Sequence, residues 1–430
     1  MSKTKKTILF SLAGLVILGG ILLSLPPVWS RVQPRLSQLQ ARVKYALSPL
    51  ERDTFSSNPN NPDWIATQVQ ATLTAMLPTS TPTPPEPTAT PKASPTPTIT
   101  PTPLPQKVIL KGIRYEAQRW NNCGPANLSM ALSYWGWQGD QLITAAYLKP
   151  NDRDKNVMPY EMMDFVNTQT DLRALVRVGG TIDLLKSLVA AGFPVIVEKG
   201  FEGIRFEGWM GHYEVINGYD DALHTFYVQD SYNGPDQPIT YDDLESYWRH
   251  FNFIFIVLYP PDKENDVLNT LGPLADPTAA YQAALERSTT ELYSLEDIRD
   301  QFFSAFNRGT NQVYLLDYAG AATSYDMALF AIYDGIEEDL RPARILWYQT
   351  GPYFAYYYTG QYGVVIDLAD RTLKKMSEPV LEESYYWRGL AKEAQGYVNE
   401  AIADYQLALH YHEGFIPAVQ ALERLGVPLD

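Results

Sequence analysis

The chemically conspicuous residue is Cys123, the only cysteine among 430 residues. A single thiol cannot close an intramolecular disulfide or build a thiolate-rich metal site. It serves either as a free nucleophile or as a small buried apolar group. Its setting favours the nucleophile. Gly124 and Pro125 follow it, and then Leu128, Ala131, Leu132 and Trp135 recur at helical spacing, which predicts a helix over 123–135. Proline is tolerated in a first helical turn because its missing N–H has no partner to lose there. Cys123 therefore stands at a helix N-terminus, where unpaired N–H groups and the helix dipole stabilise a thiolate.

A thiolate nucleophile needs a base that later acts as an acid, and only five histidines are available: His212, His224, His250, His410 and His412. His212 is the best placed, because the stretch from Gly211 to Tyr219 reads as a strand entered from a glycine-rich loop, and a strand end can present an imidazole to a helix N-terminus. Asp230 ends the next strand and is placed to orient that imidazole. The backbone N–H of Cys123 and the side-chain amide of Gln118 are the candidate donors to an oxyanion. Other residues read structurally. Asp230 also has the context of an Asx-type turn former, His224 that of a hairpin residue, and His250 that of a helix C-terminal histidine near the dipole. Gly203, Gly208 and Gly211 around Trp209 predict a loop over the cleft. They do not cradle phosphate, since no helix follows them.

Three stretches taken together, Gln118 to Ala126 around the cysteine, Gly211 to Tyr219, and Val228 to Ser231, resemble the bacteriocin-processing, double-glycine peptidase family of the papain-like superfamily. The resemblance spans 113–259. It implies a papain-like cysteine peptidase fold, with Cys123 as nucleophile, His212 as base, Asp230 as orienter and Gln118 as oxyanion donor. Gln118 lies five residues before the cysteine, where six is common in papain-like enzymes, so Asn121 and Asn122 stand as alternative donors. The best-known relatives are fused to an ATP-driven exporter. No G-x4-G-K-[ST] loop occurs here, and leader-peptide processing is not carried over.

The elements that must position these residues form an α+β domain over 108–261. Short β runs are expected at 174–178, 194–198, 212–219, 225–229 and 253–259, with helices at 159–168, 181–191 and 241–250 between them. From 276 to 430 the pattern turns helical throughout. Gly396, Ala401, Tyr405 and Ala408 have the spacing of the small and aromatic positions of a tetratricopeptide helix pair, and Gly389, seven residues before Gly396, fits as well. Ala321, Tyr325 and Ala328 repeat it, while Gly360 and Tyr362 sit about one repeat upstream of the last, with Val365 and Ala369 departing from the pattern. An all-α tetratricopeptide-like helical repeat is expected, able to hold a protein partner, with the aromatic run Tyr353 to Tyr358 in its core.

Ahead of these domains, a basic segment (1–7) precedes an apolar run over 8–25, about 27 Å as a helix, which is expected to be an uncleaved N-terminal transmembrane anchor. Amphipathic juxtamembrane helices are expected over 26–77. The alternation of Pro with Thr and Ser over 78–105 predicts a semi-rigid spacer, about 80 Å if fully extended. A formal charge of −15 with no basic stripe argues against nucleic acid as a partner. No cofactor or metal is required by this chemistry. The sequence thus describes a membrane-anchored, extracytoplasmic thiol peptidase acting on peptide or protein substrates. A non-catalytic peptide-binding scaffold and a cysteine-dependent acyl transferase are the rival readings.

Overall fold

The computed structural model describes residues 103–151, 153–154, 156–202, 208–376 and 378–429. The expected anchor, the juxtamembrane helices and all but the last three residues of the spacer lie outside the described residues. No helix among the described residues is long and apolar enough to cross a membrane.

Seven antiparallel strands form one sheet, in the order β2-β7-β3-β4-β5-β6 with β1 also beside β4. They are β1 (Lys107–Ile109), β2 (Arg173–Arg177), β3 (Val195–Glu202), β4 (Trp209–Asp220), β5 (Thr225–Asp230), β6 (Gly234–Thr240) and β7 (Phe255–Tyr259). Alternation along the strands makes this a three-layer domain, since neighbouring side chains point to opposite faces. Ile196, Tyr213, Val215, Ile256 and Leu258 face one apolar core. That core is closed by α1 (Cys123–Tyr134), α2 (Gln141–Leu148) and α3 (Pro159–Gln169). Val195, Val197, Ile216, Phe255 and Val257 face the other. There they meet α4 (Ile182–Ala190), α5 (Tyr241–Arg249) and α6 (Glu264–Leu271).

Three elements escaped the reading of the sequence, the first of them the short strand β1. Helix α2 is short and starts where the Asp140 side chain accepts the N–H groups of Leu142 and Ile143. Strand β6 carries Pro235 and Pro238, which the sheet tolerates because β6 is its edge. The expected loop around Trp209 is corrected as well. Trp209 to Gly211 belong to β4, in register with β3 through Gly200↔Gly211 and Glu202↔Trp209. Gly208 sits just outside the strand with φ +65, and Gly203 lies outside the described residues.

The remainder is helical: α7 (Pro277–Ser294), α8 (Ile298–Tyr314), α9 (Tyr318–Asp326), α10 (Ile345–Tyr348), α11 (Gly351–Tyr358), α12 (Tyr362–Lys375), α13 (Glu382–Ala394), α14 (Val398–Tyr411) and α15 (Ile416–Arg424). The helix is not continuous, because a π-helical turn over Met327–Ile332 and short 3-10 turns separate α9 from α10. Ala328, expected in a regular helix, sits in that wide turn.

The expected small and aromatic positions do pack as pairs. The Tyr405 ring lies where a side chain at Gly389 would be, 2.6 Å from the site of its Cβ. The sequence reading missed that Tyr325 covers Gly309 in the same way, at 2.8 Å and at the same separation of sixteen residues. Tyr353 and Ala369 repeat that separation with large and small exchanged, and both are fully buried. In the aromatic run, Tyr353 and Tyr356 are core residues, while Tyr358 is exposed.

Candidate active site

Two strands of the sheet stop short, and this creates the site. Strand β5 pairs with β4 only from Val215 onward. Beyond that point the edge of β4 facing β5 is open, and the N-terminus of α1 docks there. The backbone N–H of Tyr213 donates to the Cys123 sulfur. Asn127 Nδ2, one turn along α1, reaches the Tyr213 carbonyl at 2.7 Å and the Cys123 carbonyl at 2.9 Å. A helix end thus replaces a strand, and Cys123 comes to lie beside His212. Gly124 permits the approach. A Cβ there would stand 3.2 Å from Val157 Cβ and 3.5 Å from the Tyr213 ring. The chain enters the helix through Asn121 at φ +51, a left-handed conformation that asparagine tolerates. Lys149 Nζ holds that turn by donating to the Asn121 carbonyl at 3.2 Å.

Cys123 is half-buried, while His212 and Asp230 are buried. His212 Nε2 lies 2.9 Å from Asp230 Oδ1. The imidazole also hydrogen-bonds the thiol, which falls to Nδ1 because Nε2 is taken. Burial pushes the imidazolium down, but the charge and hydrogen bond of Asp230, followed by those of Cys123, outweigh it and raise His212 to about 10. Burial likewise pushes the Cys123 thiol up. The His212 hydrogen bond and charge, with the N–H groups of Tyr213 and Gly124, bring it below its ordinary value. Asp230 is held well below the carboxylate range: burial opposes this, yet His212 and the N–H groups of Asn233 and Tyr232 prevail. The shifts of both groups favour a thiolate–imidazolium pair anchored by a carboxylate.

Asp230 makes the contacts that both expected readings require. Its Oδ1 accepts the N–H groups of Tyr232 (2.8 Å) and Asn233 (3.1 Å), an Asx turn, and the same oxygen faces His212. Asn233 Nδ2 donates to the other oxygen at 2.6 Å. Phe201 and Tyr232, both half-buried, flank the imidazole with ring centroids at 5.2 and 6.5 Å.

Gln118 is tied to the same end of α1. Its Oε1 accepts from Ser231 Oγ at 2.8 Å, and Ser231 Oγ lies 3.0 Å from Asn127 Nδ2. With the oxygen fixed, the amide donor Nε2 remains for another acceptor. Of the alternatives, Asn122 Nδ2 is bound to Gln141 Oε1 at 3.3 Å, whereas Asn121 Nδ2 has no hydrogen-bond partner. His224 is the exposed turn residue expected, with φ +48. His250 does cap a helix, but it is buried and accepts from Trp209 Nε1 at 3.0 Å. Burial, Arg299, Arg249 and Lys199 hold it well below its ordinary value, so it is neutral and no cation for the dipole.

Some residues of the site were not read from the sequence. Asn127 offered a signal, being the one amide side chain, four positions after Cys123, in a helix without charged residues. Glu198 and Lys199 offered none, because only strand pairing brings them to the site. Tyr213 OH donates to the Val157 carbonyl at 2.8 Å, and the buried Glu198 carboxyl lies beside it. Burial pushes that carboxyl well above its ordinary value, against the hydrogen bond with Tyr213, which favours the carboxylate. Lys199, paired with His212 in register, forms a buried ion pair with Glu214 at 3.1 Å. Ligand atoms of His212, Glu214 and Asp230 converge within 4.8 Å; Lys199 pairs with Glu214 Oε1, and His212 and Asn233 bind Asp230, while Glu214 Oε2 has no hydrogen-bond partner.

Residues 110–255, roughly a third of the chain, match the model of the Peptidase_C39 like family. Gln118, Cys123, His212 and Asp230 all lie within the match. Among solved structures, a crystal structure described as a C39-like peptidase from Bacillus anthracis is similar, with 19% identity over 36% of this chain and 98% of that one, at a TM-score of 0.30. Comparison with curated proteins found no match.

Proposed function

We propose that the domain matching the C39-like family is a cysteine peptidase, cleaving a peptide or similar amide bond through a Cys123 thioester. The observation that carries this reading is the Cys123–His212–Asp230 chain, half-buried at the thiol and buried beyond it, in which a lowered thiol faces a raised imidazolium. The Cys123 thiolate attacks the carbonyl carbon, and the oxygen gains negative charge. The N–H of Cys123 and the Gln118 amide are the donors offered to that oxygen. The His212 imidazolium then gives its proton to the leaving amine, and the C–N bond breaks. Neutral His212 next takes a proton from water, whose hydroxide attacks the thioester, and the thiolate leaves. Asp230 keeps the imidazole in one orientation throughout.

The finer reading is part of the same proposal. The sixteen-residue Gly/Tyr packing of the helical region supports tetratricopeptide-like pairs that hold a protein substrate or partner. The apolar run over 8–25 and the Pro/Thr spacer support a single-pass anchor with the catalytic domain outside the membrane.

The test combines a cysteine-directed electrophile with Cys123→Ala. Labelling at neutral pH faster than a free thiol, and protein termini that disappear from cells carrying Cys123→Ala, are the expected results. Labelling at the rate of a free thiol together with unchanged termini leaves only the scaffold reading. Fast labelling with transfer to an added amine assigns acyl transfer. Protease added to intact cells is expected to remove the domains beyond the spacer, and full protection refutes the outside placement.

A further inference from the structure

The histidine that makes the pair stands on a two-stranded ribbon with no further strand beside it. Strand β3 pairs with β7 only over Val195–Val197, and β4 pairs with β5 only from Val215. From Glu198 to Glu202 and from Trp209 to Glu214 the two strands therefore pair only with each other among the sheet's strands. Next to His212 the ribbon is weaker still, since Gly200 faces Gly211 and neither offers a cross-strand side chain. An isolated two-stranded ribbon is marginally stable in water, and glycine raises its entropy cost. His212 nevertheless has to hold hydrogen-bond geometry to both Cys123 and Asp230.

The far end of this ribbon is gripped by the helical region. Trp209, buried and three residues from His212, packs against Phe303 of α8 and Tyr348 of α10 with ring centroids at 5.7 and 5.8 Å. Arg344 donates to the Trp209 carbonyl at 3.3 Å, and Arg299 of α8 pairs with Glu202. The bare glycines are the seats of this grip. A Cβ on Gly211 would lie 2.7 Å from Phe251 and 2.9 Å from Tyr348, and one on Gly200 would collide with His250, which stacks on Phe303 at 3.7 Å. Aromatic rings covering cross-strand glycines is a known way to fix such a pair. Trp209 and Phe251, from the sheet domain, belong to the same apolar core as α8, α9, α11 and α12.

We propose that the helical region, through Tyr348, Arg344 and Phe303 closing on Trp209 and Gly211, is the positioning element of His212, so that Cys123 is activated only while this clamp is closed. The inference rests on the Cys123–His212 reading above. It makes the helical repeats part of the catalytic apparatus, and it means that whatever shifts α8 or α10 alters thiol reactivity.

The experiment measures the pH dependence of Cys123 alkylation by iodoacetamide in the full chain and in Tyr348→Ala and Arg344→Ala, neither of which touches the dyad. Phe415→Ala, which removes a buried ring from the last helices, controls for general loosening. The wild type is expected to react well at pH 6, and Tyr348→Ala at least about tenfold more slowly there but equally at pH 10, a displaced titration worth roughly one pH unit. Phe415→Ala is expected to keep the wild-type profile. The inference is overturned if folded Tyr348→Ala and Arg344→Ala retain the wild-type profile, or if Phe415→Ala displaces it as far. A wild type that titrates as an ordinary thiol sinks the active-site reading, and the clamp with it.

Discussion

Asp230→Asn isolates the contribution of the carboxylate to the ion pair. Asparagine keeps an oxygen for the N–H groups of Tyr232 and Asn233 but loses the charge. His212 stands at about 10 against an ordinary 6.5. At about 1.36 kcal/mol per decade this is ~5 kcal/mol, divided between Asp230 and the Cys123 thiolate after burial has been overcome. Asp230 is the larger contributor, and assigning it about half gives ~2–3 kcal/mol, or roughly 10²-fold in the population of thiolate–imidazolium. Because Cys123 is the only cysteine, the ultraviolet difference between each protein and its Cys123→Ala counterpart reports thiolate at this one position. Wild type is expected to show thiolate below the ordinary thiol range near 8.5, and Asp230→Asn only as the pH approaches that range. The stability effect has a definite sign. The raised His212 stabilises the fold below its unfolded value of 6.5, and this is lost as pH rises through about 10. The lowered Asp230 stabilises it above its unfolded value, and this is lost in acid. Asp230→Asn should therefore lower the melting temperature between about pH 4 and 10 and converge with wild type in strong acid. Superimposable thiolate titrations of the two proteins would refute the reasoning.

Further outcomes follow from the same geometry. Gln118→Ala should lower kcat by about 10²-fold with KM and the thiolate titration little changed, as loss of an oxyanion donor requires, and a shift in KM alone would reassign Gln118 to binding. Glu198, whose carboxyl burial raises well above its ordinary value, stabilises the fold below that ordinary value, and this is lost as pH rises towards the raised one. Glu198→Gln should therefore flatten the fall in melting temperature on the alkaline side, and an unchanged slope contradicts a raised Glu198. Gly389→Ala forces a Cβ to within 2.6 Å of the Tyr405 ring, which is fixed by its hydroxyl donating to Glu393. The overpacking, about 1–3 kcal/mol, should exceed the ~1 kcal/mol that alanine gains in helix propensity. A more stable Gly389→Ala in urea unfolding would show that the ring moves aside.

How much of this was legible beforehand differs between local and distant features. The helix beginning at Cys123 and the strands carrying His212 and Asp230 follow from short-range physics, namely helical spacing after Gly124-Pro125 and alternation in β4 and β5. The loop over the cleft was misread because Gly208 and Gly211 flank Trp209 and break the strand pattern just ahead of His212. The neighbours of Trp209 are Phe251, Phe303 and Tyr348, supplied from far along the chain. His250 was read as a cation at a helix end because the sequence shows its position and not its burial. The pair Gly309/Tyr325 was overlooked, although it has the separation of Gly389/Tyr405, because Ala328 leaves the regular helix.

The sequence by itself determined which atoms can do the chemistry: one thiol at a helix start, one histidine at a strand, one aspartate ending the next. These choices rest on periodicity and residue type, which act over a few residues. Only the tertiary structure decided that they meet, because the meeting depends on where β5 stops pairing with β4 and on the helix end that fills the gap. It also decided what holds His212 in place, since the ribbon's support comes from helices more than eighty residues further along the chain. Pairing lengths and domain contacts are sums over distant partners, and no window of the sequence contains them.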